Sequence, residues 1–249
     1  MPATRFLPVL GLAAVLFGAG CSAVDSVTEG GDASPTTPSN GVADKPPAEI
    51  LASARKALAA AGSVHVKGNG TEDGEVFALD MRMKGTQAGR GTLTIKHNPV
   101  EILRIGKQAY LKGDADFWLE STGSKSAAEL LKGKYVKGST TDPDLKETLA
   151  LTSPVGFGDE VLTAKGAVTK ADSREVGGVD TVGVTFRSKE GDQITVYVAT
   201  TGKPYPMYLS TTGKTADKTN SFDFREYDQP LEIKPPSPDL VLDPEKLGG

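Results

Sequence analysis

The feature that most constrains the fold of this 249-residue chain is a period-two alternation of bulky apolar residues. Between Phe77 and Met83 the bulky apolar side chains stand at odd positions, whereas Asp80 and Arg82 stand at even positions. Successive side chains of a strand point to opposite faces, so the pattern predicts strands with one buried and one solvated face. The alternation recurs at Val64 and Val66, Leu93 and Ile95, Val182 to Phe186, Ile194 to Val198, Met207 and Leu209, and Phe222 and Phe224.

Turn signals separate these runs at the spacing of hairpins, which predicts an antiparallel meander. Among the turns we include Gly68-Asn69-Gly70, Gly89 and Asn98-Pro99. We interpret Asp114-Ala115-Asp116 as a further turn, because the acidic ligands that would complete a calcium loop are missing.

Helical spacing replaces the alternation in two regions. One apolar stripe runs from Ile50 to Ala61 after Pro46-Pro47, and three shorter stripes lie between Ser124 and Lys165. Strand meanders combined with a few helices predict a single α+β domain over residues 47–243.

The N-terminus has the layout of a secretory signal. Arg5 precedes the apolar stretch 6–17, which is shorter than the ~20 residues that cross a bilayer, and Gly18-Ala19-Gly20 stands directly before Cys21. Cys21 is the only cysteine, which excludes an internal disulfide framework and a cysteine-clustered zinc site. The arrangement resembles the lipobox of bacterial lipoproteins, which implies a signal peptide at 1–20 and acylation of Cys21. The alternative is a secreted protein with an incidental cysteine.

The segment that follows predicts a tether. Residues 25–45 are rich in Gly, Ser, Thr, Pro and Asp, a composition too polar to bury a core, so we assign residues 21–46 to a lipidated N-terminus and a disordered tether. Removal of residues 1–20 changes the charge from 28 − 32 = −4 to 27 − 32 = −5. This acidic balance argues against nucleic acid as a partner and leaves membrane attachment to the acyl chains of a diacylglyceryl-cysteine.

No arrangement of residues predicts catalysis, a metal site or a cofactor. The chain lacks a nucleophile elbow, a zinc-binding His-Glu-x-x-His and a phosphate-cradling glycine loop. We interpret His65 as a solvated strand residue, because it alternates with Val64 and Val66, and His97 as a turn residue. The pair Phe117-Trp118 is interpreted as core.

The apolar face of the sheet is the candidate site. A wide sheet under short helices rich in small residues favours a void, and a large apolar void binds ligands. The alternative is a core filled by its own side chains. The predicted lining consists of Phe77, Leu79, Met81, Leu93, Val184, Phe186, Val196 and Val198.

Several segments together carry a family resemblance. They are the lipobox cysteine, the polar tether, the runs 60–68 and 106–112, the pair Phe117-Trp118, and the runs 196–199, 202–206 and 222–230. The chain resembles the actinobacterial LppX/LprAFG lipoproteins, which are similar in fold to the LolA/LolB carriers. The resemblance implies a strongly curved antiparallel sheet, a half-barrel, with helices that cover its concave face around an apolar cavity.

The same resemblance implies a function. We expect a non-enzymatic cell-envelope lipoprotein, anchored by its lipid to the extracytoplasmic face of the cell membrane, that binds and carries acylated lipids or glycolipids. A membrane transporter is expected as a further partner. The alternative from another class is an interaction or sensor lipoprotein that docks a membrane partner without transport, and an enzyme ranks third because no nucleophile, base and orienting group occur together.

Overall fold

The structure, a computed structural model, describes residues 38–72, 74–213 and 219–243. The predicted signal peptide, Cys21 and the tether as far as residue 37 lie outside the described residues. The helices of the described part are α1 Pro47–Ala59, α2 Ala115–Thr122, α3 Lys125–Leu131, α4 Lys146–Ala150 and α5 Pro154–Val161. Its strands are β1 Ser63–Glu72, β2 Glu75–Lys84, β3 Ala88–Ile95, β4 Asn98–Ile105, β5 Gln108–Lys112, β6 Tyr135–Ser139, β7 Thr169–Val176, β8 Val179–Arg187, β9 Gln193–Ala199, β10 Pro206–Thr212, β11 Thr219–Arg225 and β12 Val241–Leu242.

All twelve strands form one unclosed sheet in the order β12-β6-β5-β4-β3-β2-β1-β11-β10-β9-β8-β7. Neighbouring strands are antiparallel except for the two-residue β12, which pairs with β6 in parallel. Leu93 of β3 and Ile194 of β9 border one cavity, although five strand spacings, about 24 Å on a flat sheet, separate their strands. The sheet therefore curves strongly, and the predicted α+β half-barrel is confirmed.

The predicted alternation holds along β2. Leu79, Met81 and Met83 are buried, whereas Arg82 and Lys84 between and beyond them are exposed. The buried face is the concave face, and the helices pack on it. In α1 the predicted stripe supplies the buried residues Ile50, Leu51, Ala54 and Leu58.

Some sequence signals have a different structural meaning from the one predicted. Gly68, Gly70 and Gly89 lie inside β1 and β3 and not in turns. Asp114 caps the N-terminus of α2, a helix that the sequence did not predict, and its carboxylate accepts a hydrogen bond from the Phe117 amide at 2.8 Å. A capping carboxylate satisfies an amide that the helix leaves free, which explains why an acidic residue begins this segment.

The described fold begins before residue 47. The Asn40 amide donates to the Thr200 carbonyl at 2.8 Å, and its side chain donates to the carbonyls of Ala199 and Gly202. Val42 is 2% exposed and belongs to the core. Residues 39–44, which the sequence assigned to the disordered tether, therefore pack on the sheet, held by the hydrogen bonds of Asn40 and by Val42, with Ala43 packed against the same core.

The two ends of the sheet differ. We call the end at Lys84 of β2 the closed end and the end at Glu75 the open end. At the closed end, Asp228 accepts hydrogen bonds from the Gly62 amide, the Lys203 ammonium and the Tyr205 hydroxyl, at 2.7–2.8 Å. The hydrogen bond from Lys203 is the largest cause that lowers the pKa of Asp228 to about 2. This carboxylate therefore ties the start of β1 to the turn between β9 and β10.

The convex face carries its own features. The C-terminal segment crosses this face, where Ile233 and Val241 cover Leu103, Tyr110 and Tyr135. His65 also lies on this face, yet it is only 3% exposed, and its Nε2 lies 2.7 Å from Asp80 Oδ1. The prediction of a solvated His65 is wrong, because carboxylates on neighbouring segments cover the ring. None of the helices in the described ranges is long and apolar enough to cross a membrane.

Candidate functional site

A cavity of about 440 Å³ lies between the concave face and α5, toward the open end. Its sheet side is formed by Phe77 and Leu79 of β2 together with Leu93 and Ile95 of β3. Phe222 of β11 and Ile194 of β9 line the facing side, and Leu151, Phe157 and Val161 form the helical cover. The lining is therefore mainly apolar and aromatic, which is the composition of sites that bind lipophilic molecules.

Two glycines of β1 make room at the base of this cavity. A Cβ atom on Gly68 would lie 2.1 Å from Phe222 Cδ1, and one on Gly70 would lie 2.1 Å from Asn220 Oδ1. Because β1 presents no side chain here, rings from the strands on either side meet across it. The centroids of Phe77 and Phe222 are 6.2 Å apart.

Phe157 joins the cavity to the core. Its ring packs edge-on against Phe222 and Phe224, with centroids 5.5 and 5.7 Å apart, and its side chain is fully buried. Pro154 in the first turn and the Ser153 hydroxyl, which accepts from the Gly156 amide at 3.1 Å, begin the helix that positions it. The aromatic contact fixes α5 over the sheet.

Polar groups gather at the open end of the cavity. Asn220 contributes a buried side-chain oxygen that accepts no hydrogen bond from any residue in the described ranges. The rim carries three exposed carboxylates, on Glu75, Glu160 and Glu190, and that of Glu75 is 2.9 Å from the Lys96 ammonium. The cavity thus has an apolar interior and an end that offers hydrogen-bond acceptors.

The structure divides the eight residues predicted as lining into two groups. Phe77, Leu79 and Leu93 border the cavity. The other five are buried in the core and do not border it; they are Met81, Val184, Phe186, Val196 and Val198. Strands β8 and β9, which supply four of these five residues, contact α1, and their side chains and the buried stripe of α1 belong to one core cluster. The concave face is therefore filled on one side and hollow on the other.

Sequence reasoning missed several lining residues. Ile194 and Phe222 were recognised as inward-facing strand positions and Phe157 as a helical apolar residue, but none was assigned to the cavity. The signal that would have located it is the change along β1 from Val64 and Val66 to glycine at the next two inward positions.

The described residues contain no group of three or more His, Cys, Asp or Glu side chains that could hold a metal ion. The Phe117-Trp118 pair is packed edge-to-face, with centroids 4.8 Å apart, and Trp118 is buried. This pair supports α2 and does not border the cavity. What the site can do is shield an apolar group from water.

Solved structures with the same fold have been found. LprF from Mycobacterium bovis is 18% identical to this chain, with a TM-score of 0.53, and the match covers 81% of this chain and 99% of LprF. The Mycobacterium tuberculosis lipoprotein LppX is 14% identical, with a TM-score of 0.48 and coverage of 75% and 99%. No family model matches the sequence, and no curated protein does. The fold is that of LprF, so the resemblance to LppX/LprAFG lipoproteins is confirmed at the level of the fold.

Proposed function

We propose that this protein is a cell-envelope lipoprotein that binds an acylated lipid in the cavity and carries it between membrane partners. The observation that carries the proposal is the mainly apolar 440 Å³ cavity under α5. A cavity of ~150 Å³ holds benzene, which corresponds to about 25 Å³ per carbon atom. At that density the cavity accommodates about 18 carbon atoms, the size of one fatty-acyl chain.

The energetics fit a carrier that needs no covalent step. Each methylene gains about 0.8 kcal/mol on leaving water, in a protein cavity as in a bilayer. Transfer from one to the other is then close to neutral, provided that the cavity is dry and the chain fits. The Asn220 oxygen at the open end, which no described residue uses as an acceptor, is available to a hydroxyl donor of the lipid head.

Anchoring is the second element of the proposal. Cys21 is acylated, and palmitate is one of the acyl chains that we expect there. These chains hold the protein on the extracytoplasmic face of the cell membrane. The Cys21→Ser chain should not incorporate a fatty-acid probe and should appear in the medium. Equal labelling of the Cys21→Ser chain and the wild type would contradict the lipoprotein assignment.

The cavity is tested by native mass spectrometry of protein purified from its own cell envelope. We expect a lipid adduct on the wild type and its loss in Leu93→Trp, because an indole at position 93 occupies the space of the acyl chain. Thr94→Trp is the matched control: it places the same group one residue along β3 on the opposite face, and the adduct should remain. A clean apoprotein for all three would refute lipid binding.

One observation favours the alternative of an interaction module that docks a membrane partner. Leu119 on α2 and Leu130 on α3 are 36% and 62% exposed. Two apolar side chains on neighbouring helices are a small docking surface. Two results together would favour this interaction module over the carrier: the protein purifies without bound lipid, and the Leu130→Ser variant no longer binds a membrane partner.

A further inference from the structure

Arg104 interrupts the apolar pattern of the concave face. Along β4 the inward positions are Val100 and Ile102, 5% and 1% exposed, and Arg104 is the next inward position. It lies opposite Gly89 of β3 and Ala109 of β5, and Ala109 is fully buried in the core. The alternation of β4 thus places a guanidinium group where a hydrophobic side chain would be expected.

No described carboxylate pairs with this guanidinium. Its Nε is buried without a hydrogen-bond partner, and Arg104 forms no ion pair with the residues that the structure describes. Removing part of a cation from water without a partner costs free energy. A ligand with negative charge would supply the missing acceptor.

The surroundings of Arg104 fit such a ligand. A cleft of about 380 Å³ at the closed end brings together Thr86, Arg104, Thr140, Lys146, Leu149, Ala150, Ser153, Val155 and Gly156. The Lys146 ammonium, too, forms no ion pair with a described residue. None of the lining residues that the structure describes is acidic, and the threonine hydroxyls add hydrogen-bond donors.

We propose that this cleft binds a phosphate-type oxyanion. Arg104 offers a planar fork that suits two oxygens of one phosphate, and Lys146 adds a second positive charge. The first turn of α5 closes the cleft and contributes the positive end of its dipole. The oxyanion is either inorganic phosphate or the phosphate of an anionic lipid head, because both present the same group. The site lies apart from the lipid cavity, so neither proposal depends on the other.

The first test is an isothermal calorimetric titration of the full-length Cys21→Ser chain with inorganic phosphate at constant ionic strength. We expect saturable binding that weakens about tenfold or more in Arg104→Gln and in Lys146→Gln, since each removes a charged hydrogen-bond donor. Lys107→Gln is the matched control, because Lys107 lies exposed in the turn after β4 and outside the cleft. Its affinity should equal that of the starting chain.

Vesicles distinguish the two sources of the oxyanion. If a lipid head is the ligand, the same chain should sediment with phosphatidylglycerol vesicles more than with phosphatidylcholine vesicles, and Lys146→Gln should abolish the difference. If only inorganic phosphate binds, the vesicle preference is absent while the titration succeeds. Absence of both, or an equal loss in Lys107→Gln, would overturn the proposal. Lys146 is exposed, so its variant keeps the test valid should Arg104→Gln fail to fold.

Discussion

The concave face has two regions that differ under the same sheet. Under α1 it is filled, with Val184, Val196 and Val198 each fully buried. Under α5 it encloses the cavity, where Phe77 and Leu93 remain only half-buried. Both regions share the alternation of strands and differ in the volume of the residues that face each other, so volume and not pattern decides where a cavity forms.

Strand β1 contains this contrast within a single segment. Its inward positions run Val64, Val66, Gly68 and Gly70 from the closed to the open end. The two valines are buried in the filled region, and the two glycines lie beside the cavity residues Phe222 and Asn220. The side chains of Phe222 and Asn220 occupy the space directly over the two glycines, since a Cβ atom on either glycine would lie 2.1 Å from one of them, and the cavity lies beyond these side chains.

The largest expected effect comes from removing the ring that joins the two regions. Phe157→Ala should lower the free energy of unfolding by about 3–5 kcal/mol and the Tm by about 6–20 °C, because Phe157 is fully buried. Phe77→Ala removes the same ring from the cavity wall and should cost clearly less. Thermal unfolding of both variants checks the comparison, and equal losses would mean that the two regions are packed alike.

Substitution by a larger side chain tests the same contrast, because it adds volume to each region. Val184→Trp adds volume in the filled region and should cost about 1–3 kcal/mol or more, with a Tm several degrees lower. Leu93→Trp adds volume in the cavity and should leave the Tm within about 2 °C of the wild type. The contrast between the regions would fail if Val184→Trp were tolerated as well as Leu93→Trp.

The smallest effect concerns the polar group of the cavity. Asn220→Leu removes a buried oxygen that has no partner among the described residues, so the free energy of unfolding should stay unchanged or rise by up to about 1 kcal/mol. Chemical denaturation measures the difference. A marked loss of stability would instead indicate that Asn220 is satisfied by a group that belongs to the folded protein.

The sequence predicted the strands well where one face of the sheet is buried and the other is exposed to solvent. Strand β2 follows the alternation residue by residue. Strand β7 was missed because its residues are mostly exposed and polar, and an edge strand with few buried side chains has no alternation to detect. The burial of His65 was also beyond sequence reasoning, because it depends on Asp80 and Glu226, which come from other strands and segments.

The sequence predicted an apolar cavity on the concave face, but only three of the eight residues predicted to line it border it. The alternation of inward and outward positions identifies the residues of a concave face, but it does not show which of them pack against a helix. Val184 and Val196 are inward-facing but do not border the cavity, because their strands β8 and β9 contact α1. Gly68 and Gly70 were ambiguous because glycine pairs mark turns as well as gaps in a strand.

The docking of Asn40 at the closed end fixes where the described chain begins relative to the cavity. Asn40 holds the start of the described chain against residues 199–202, whereas the cavity lies toward the other end of strands such as the ten-residue β2, about 33 Å long. The start of the described chain and the cavity therefore lie at opposite ends of the sheet, so a molecule can enter the cavity at the open end without displacing the segment around Asn40.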